Sequence, residues 1–204
     1  MIYIQPFCLP KQCTGKEKRR LEHKAGQNLL ISGLKQEFGL DLSQRLSIIK
    51  KGEKGKPYLE DYPDIYFNIS HSQDMAVCAL GRRPLGVDVE KIRPASFTVI
   101  RKCLTQKERN YLETCGEESR NREFFRFWTL KESYAKALGI GLSLDFASVE
   151  FELEPFAACL NDTRQNWQFL QTAWQEEKET YVISFCGQEL PDPPYFLRQY
   201  SCKI

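Results

Sequence analysis

Two short stretches of this sequence carry residues suited to metal-assisted chemistry: Gly86-Val87-Asp88-Val89-Glu90 and Trp128-Thr129-Leu130-Lys131-Glu132-Ser133-Tyr134-Ala135-Lys136. In the first, apolar and acidic residues alternate. On a strand, Asp88 and Glu90 therefore leave one face while Val87 and Val89 enter a core on the other. Two carboxylates side by side repel each other, and a cation that prefers hard oxygen ligands, such as Mg²⁺, relieves that repulsion. In the second stretch, Glu132 stands one helical turn after Trp128, in the sector of Phe124 and Phe125, where an acid needs a partner. Both motifs also have plain structural uses. Asp-x-Glu serves as a solvated strand face, and Glu132 with Lys136 has the i,i+4 spacing of a helix-surface ion pair.

The elements that position these residues follow from hydrophobic period and from turn chemistry. Residues 2–8 read as a strand. Residues 16–38 read as a long helix, basic at its start, with Leu21, Ala25, Leu29 and Ser32 on one face and a stop near Gly39. Strands are expected at 46–50, 65–69, 75–80 and 85–90, separated by turns rich in Gly, Pro and Asp, before Arg93-Pro94 breaks the pattern. Thr105 with Glu108 forms a capping box for a helix to about residue 115, a second helix covers 122–138 before Gly139, and strands return at 149–153, 167–174 and 181–186. Residues 75–81 and 181–187 look alike, although only the glycine is identical. The expected fold is α+β, with two similar lobes, residues 1–93 and 94–204, packed around a ligand cleft.

Composition narrows the function classes. The 204 residues are 42% hydrophobic and 27% charged, which suits a folded globular protein. A net charge of +2 and a pI of 8.1 give no bulk case for nucleic-acid binding, since such domains usually exceed a pI of about 9. No apolar run approaches the roughly 18 residues that suggest a membrane span, and residues 1–7 lack the basic start of a signal peptide. A cytoplasmic protein is expected. The eight cysteines are scattered without a Cys-x-x-Cys pair, and His23 and His71 are the only histidines, which argues against structural zinc. Cys78 and Cys186 sit in apolar strand-like runs and are expected as reduced core residues.

Upstream of the acid pair lie Gly55-Lys56-Pro57, readable alone as a turn, and Phe67-Asn68-Ile69-Ser70-His71-Ser72. The latter offers hydroxyls, backbone N–H groups and an imidazole at the end of a strand, the ingredients of a phosphate site. Taken in order, these two segments, Gly86 to Glu90, and Phe127 to Lys136 closely resemble the 4′-phosphopantetheinyl transferases of the surfactin-synthetase-activating (Sfp) type. The resemblance runs from about residue 50 to 143. It implies an enzyme that moves the phosphopantetheine arm of coenzyme A to a serine of an acyl or peptidyl carrier protein and releases adenosine 3′,5′-bisphosphate.

The resemblance also implies roles. Asp88, Glu90 and Glu132 correspond to Mg²⁺ ligands that bring the ion to the coenzyme A pyrophosphate, and Glu132 also to the base for the carrier serine. Lys136 corresponds to the lysine at the departing phosphate. Lys56 and Pro57 match residues around the adenine and its ribose phosphate, Ser70 and His71 match a phosphate-contacting pair, and Glu108 matches a glutamate after the lobe junction. Where the family carries an arginine in the first helix for the 3′-phosphate, this sequence has Gln27, which lacks the bidentate donor, with Lys16, Lys18, Arg19, Arg20 and Lys24 as candidate substitutes.

Two other readings compete with the transferase. One is a Mg²⁺-dependent nuclease or phosphohydrolase, which also uses carboxylates and a lysine. The other is a non-catalytic nucleic-acid-binding protein with a basic first helix. Neither explains Gly-Lys-Pro and Ser-His-Ser in this order. A duplicated single chain is expected to work as a monomer. Residues 93–104, with Arg93, Arg101 and Lys102 beside Phe97, Val99 and Ile100, are the expected docking segment for an acidic carrier.

Overall fold

The computed structural model describes residues 1–10, 12–153, 158–160, 166–191 and 198–199. Strand β1 (Ile2–Pro6) leads to helix α1 (Gly15–Phe38). A capping box starts this helix, with the Thr14 side chain accepting from the Glu17 amide and Glu17 answering the Thr14 amide. Gly39 ends it at φ +68, in the left-handed region. A short hairpin of β2 (Ile49–Lys51) and β3 (Pro57–Leu59) follows, then a longer one of β4 (Tyr66–Ser72) and β5 (Met75–Gly81). The second half contains β6 (Leu85–Lys91), α2 (Phe97–Cys103), α3 (Gln106–Thr114), α4 (Glu117–Leu138), β7 (Phe151–Leu153), β8 (Ala158–Leu160), β9 (Gln168–Glu176), β10 (Glu179–Gly187) and β11 (Arg198–Gln199).

The two main sheets run β11-β1-β5-β4 and β6-β10-β9. Each therefore repeats one plan. A strand (β1 or β6) is followed by a long helix (α1 or α4) and a hairpin (β4–β5 or β9–β10), and the first strand pairs antiparallel with the second strand of the hairpin. The look-alike sequence runs are the corresponding strands β5 and β10. The α+β fold of two similar lobes is thus present in the backbone pairing, where sequence identity alone had almost vanished.

Strand alternation distributes the core. Tyr3, Cys78 and Leu80 face Leu29, Leu30 and Leu34 of α1, and Val182 and Cys186 face Phe124, Phe127 and Leu130 of α4. The opposite faces of both sheets meet in a third cluster, with Ile2, Ile4 and Val77 from one and Val87, Val89 and Ile183 from the other. The lobes are thus sealed by apolar burial, the dominant favourable term in packing. Along one edge, β4 and β6 are stitched by side chains. Asn68 Oδ1 accepts the Val87 amide at 2.9 Å, and Ser72 Oγ accepts the Lys91 amide at 3.2 Å.

Several boundaries differ from the sequence expectations. Residues 46–48 form a 3₁₀ turn, leaving only Ile49–Lys51 as strand. Helix α4 starts at Glu117 rather than 122. Strand β4 runs on to Ser72, because Ser72 still pairs with Met75 and Gln73 turns the chain at φ 55. Ser70-His71-Ser72 therefore lies within the strand, not beyond its end. Strand β6 is paired along its length with β10, from Leu85 with Gly187 to Lys91 with Tyr181. A division after residue 93 gives it to the first lobe; on this pairing we propose that the lobes join in the turn before β6.

Candidate active site

Gly86 sets the geometry of the site. Helix α4 crosses β6 so closely that a Cβ on Gly86 would lie 2.1 Å from the Ser133 carbonyl oxygen and 2.4 Å from the Ala137 amide nitrogen. Only glycine leaves that space. The close crossing lets Lys136 reach from the helix to the strand. Its Nζ donates to Asp88 Oδ1 at 2.6 Å and to Ser70 Oγ at 2.9 Å, and Ser70 Oγ donates to the same Asp88 oxygen at 2.7 Å. Asp88 is 4% exposed, and its Oδ2 is buried with no hydrogen-bond partner. Burial pushes its pKa up, against the pull of Lys136 and Ser70.

Glu90 leaves the same face of β6 as Asp88. Its Oε2 accepts from Ser72 Oγ and from Arg93 Nη1, both at 2.8 Å, while the Arg93 guanidinium lies 4.8 Å from the centre of the Phe125 ring. Glu132 is half-buried on α4, and its pKa is pushed up to about 7 by burial and then by the charge of Asp88, with Lys136 opposing and Glu90 adding. The i,i+4 pairing of Glu132 with Lys136 is not formed: the lysine's ion pair is with Asp88, across the helix–strand crossing.

The three acids share one electrostatic neighbourhood, yet among the described residues no three His, Cys, Asp or Glu side chains are arranged to hold a metal ion. Lys136 engages Asp88 and Arg93 engages Glu90. The donor set nevertheless fits a hard divalent cation. An orphaned, buried carboxylate oxygen at Asp88 is the kind of group an ion satisfies, and the like-charge pressure on Glu132 is what a cation would relieve.

The expected phosphate contacts separate. Alternation along β4 puts Ser70 on the Asp88 side and His71 on the other. His71 Nδ1 stands 3.7 Å from Glu22 Oε2 on α1, whose other oxygen is 3.8 Å from Lys18 Nζ. Gln27 is half-buried on the same helix. Lys56 and Pro57 line a cleft of about 590 Å³ between the lobes, walled also by Tyr58, Tyr66, Leu138 and Trp167. Asp88, Glu90, Glu132, Ser70 and His71 do not line this cleft, although Ala137 and Leu138 continue directly from Lys136. The Lys56 ammonium is turned to two carbonyls, Leu85 at 3.0 Å and Ala137 at 2.9 Å, and burial pulls its pKa down to about 8.

Some residues around the site had no assigned role in the sequence reading. Asn68 and Ser72 are two of these: with Ser70 they form a same-face polar row on β4, each bonded to β6. Their period of two is a signal readable in the sequence. Lys131, 0% exposed, donates to Glu108 Oε2 at 2.6 Å and to the carbonyls of Phe146 and Val149, each at 2.7 Å. Glu108 Oε1 accepts the Phe151 amide at 2.9 Å. This saturated pair anchors α3 and the chain after α4 beneath the site, giving Glu108 a structural place.

A family model described as the 4′-phosphopantetheinyl transferase superfamily matches residues 84–186. The chain is similar to 4′-phosphopantetheinyl transferase Sfp of Bacillus subtilis, at 34% identity over 143 residues, covering 66% of this chain and 62% of that protein. It is also similar to 4′-phosphopantetheinyl transferase HetI of a Nostoc species, at 31% identity over 160 residues, covering 76% of this chain and 66% of that protein. The chain thus spans less than two thirds of the length of these relatives. Among solved structures, a holo-(acyl-carrier-protein) synthase from Bacillus anthracis in complex with CoA (3′,5′-ADP) aligns with a TM-score of 0.42 and 18% identity, over 51% of this chain and 94% of that one.

Proposed function

Because the chain belongs to the 4′-phosphopantetheinyl transferase superfamily, we propose that it transfers 4′-phosphopantetheine from coenzyme A to a serine of an acyl or peptidyl carrier protein. The structural observation that carries this reading is the ion pair of Lys136 with Asp88 across the α4–β6 crossing, beside Glu132 and the orphaned Asp88 Oδ2. The transfer forms a bond from the serine oxygen to the phosphorus that bears pantetheine and breaks that phosphorus's bond to the bridging oxygen. Adenosine 3′,5′-bisphosphate leaves, and one proton is released. Charge builds on the departing oxygen, so the need is for fixed cations and a base in a water-poor place.

Asp88, Glu90 and Glu132 would hold Mg²⁺. When bound, the ion supplies electrostatic stabilisation of the pyrophosphate oxygens. The Lys136 ammonium, held by Asp88 and Ser70, presents its charge to the departing phosphate oxygen. The Glu132 carboxylate takes the serine proton, directly or through a water. Ser70 and Ser72 keep Asp88 and Glu90 oriented. Pro57 and the cleft wall beside it receive the nucleotide, and the basic start of α1 supplies charge for its 3′-phosphate, with His71 as a neighbouring hydrogen-bonding group.

The carrier docks on α2, where Phe97 is 75% and Val99 38% exposed, next to Arg101 and Lys102. This fits an acidic partner with an apolar spot. Both halves of the site come from one chain, which suits a monomer, and no described helix is long and apolar enough to cross a membrane. We place the activity in the cytoplasm, where coenzyme A and carriers meet. The nuclease or phosphohydrolase and nucleic-acid-binding readings find no support in the family match. Chromatography separates the enzyme readings: adenosine 3′,5′-bisphosphate should appear from coenzyme A and Mg²⁺ only when an apo carrier is present. Its release without a carrier would favour a phosphohydrolase.

A further inference from the structure

The Lys56 ammonium is held by groups far from it in sequence. The turn that carries it is closed by the Gly52 amide on the Lys56 carbonyl and the Gly55 amide on the Gly52 carbonyl, both at 2.9 Å, with Gly55 at φ +82. From this turn in the first lobe the side chain crosses into the second. Its Nζ donates to the carbonyl of Leu85, the first residue of β6, at 3.0 Å, and to that of Ala137, in the last turn of α4, at 2.9 Å. The stem passes Gly139, whose absent side chain makes room: a Cβ there would lie 3.2 Å from Lys56 Cδ.

The last four carbonyls of a helix have no partner within it, and a cation at that end also answers the helix dipole. Lys56 meets both needs for α4 from another part of the chain. In the same grip it fastens the start of β6. Asp88 follows Leu85 on that strand, and Lys136 precedes Ala137 on that helix. We propose that Lys56 is a positioning residue, an interlobe clasp that holds the Lys136 turn of α4 in register with Asp88, rather than a direct ligand of the nucleotide. The lowered pKa of the ammonium agrees with a charge drawn out of water onto neutral carbonyls. The catalytic half of the inference rests on the proposed transferase reading; the structural half does not.

The test is Lys56→Met, which keeps the stem and removes the donors. The amides of Gly139 and Ile140, bonded to the Lys136 and Ala135 carbonyls, should exchange with solvent about tenfold faster as the last turn of α4 loosens. In turnover, kcat should fall about tenfold or more while the dissociation constant for coenzyme A stays within about twofold. Unchanged exchange, or a coenzyme A affinity weakened about tenfold with kcat intact, overturns the clasp. Absence of transfer by the wild type would sink the proposed function, while the exchange experiment would still decide the structural role. Should Lys56→Met fail to fold, Lys56→Gln keeps a shorter donor for the same comparison. Amine acetylation of the wild type needs no variant: once each rate is corrected for the lysine's free-amine fraction, Lys56 should label far more slowly than exposed Lys51 and Lys54, and equal corrected rates contradict the clasp.

Discussion

Lys136 Nζ and Asp88 Oδ1 are 2.6 Å apart across the point where α4 passes over β6. The pair joins a helix and a strand 48 positions apart in sequence, and it exists because Gly86 lets the two backbones approach. On a helix surface, Lys136 would have paired with Glu132. Its transfer to Asp88 turns a stabilising ornament of one helix into a contact that assembles the site.

Lys136→Ala should therefore do more than a surface substitution. It leaves a buried carboxylate without its cation, an effect of about 1–3 kcal/mol in Mg²⁺-free buffer, whereas a helix-surface pair is worth about 0.2–0.5 kcal/mol. In turnover, kcat should fall roughly 10²-fold, with coenzyme A affinity little changed. Urea unfolding and steady-state kinetics on the same preparation read both quantities, and a small change in each would return the lysine to the surface.

Gly86→Ala should separate packing from charge. The added methyl meets backbone atoms of Ser133 and Ala137, so α4 must shift and carry Glu132 and Lys136 away from β6. Overpacking of this kind costs about 1–3 kcal/mol. A variant with wild-type stability and wild-type turnover would show that the crossing is looser than described.

The Lys56 ammonium gives a pH dependence of stability. Its folded pKa is lowered to about 8 by burial, with the nearby Cys186 thiol acting weakly the other way, while the unfolded chain has the ordinary lysine value of 10.5. Between those values the unfolded chain binds the extra proton, so stability rises with pH. The penalty for burying the charged amine is full below about pH 8 and disappears as pH climbs toward 10.5. The stability of wild type relative to Lys56→Met should accordingly increase over that window. A difference that stays flat or declines between pH 8 and 10.5 contradicts the burial of the ammonium.

On α2, reversing the charges with Arg101→Glu and Lys102→Glu should raise KM for an acidic carrier several-fold at low salt and flatten its salt dependence, with KM for coenzyme A unaltered. An unaltered carrier KM would move docking to another face.

Much of this architecture was legible in the sequence because local rules govern it. Alternation in Val87-Asp88-Val89-Glu90 placed the acids on one face, and Thr105 with Glu108 and the glycines at 39 and 139 marked helix ends. What remained hidden is non-local. The stitching of β4 to β6 depends on which strands meet at the lobe boundary, which periodicity does not encode. Strand continuation past Ser70 decided that His71 faces Glu22 instead of Asp88. Likewise, a Gly-Lys-Pro turn does not reveal that its lysine ends on the distant carbonyls of Leu85 and Ala137.

The central claim is that Asp88, Glu90 and Glu132 serve one Mg²⁺-dependent transfer. Its most direct test is the intact mass of an apo carrier after incubation with coenzyme A, Mg²⁺ and enzyme, comparing wild type with Asp88→Ala, Glu90→Ala and Glu132→Ala, each verified as folded by circular dichroism. The account predicts a phosphopantetheine adduct with wild type, lost on chelation, and little or none with each variant. An unmodified carrier with folded wild type, or full modification by all three variants at limiting Mg²⁺, would contradict it.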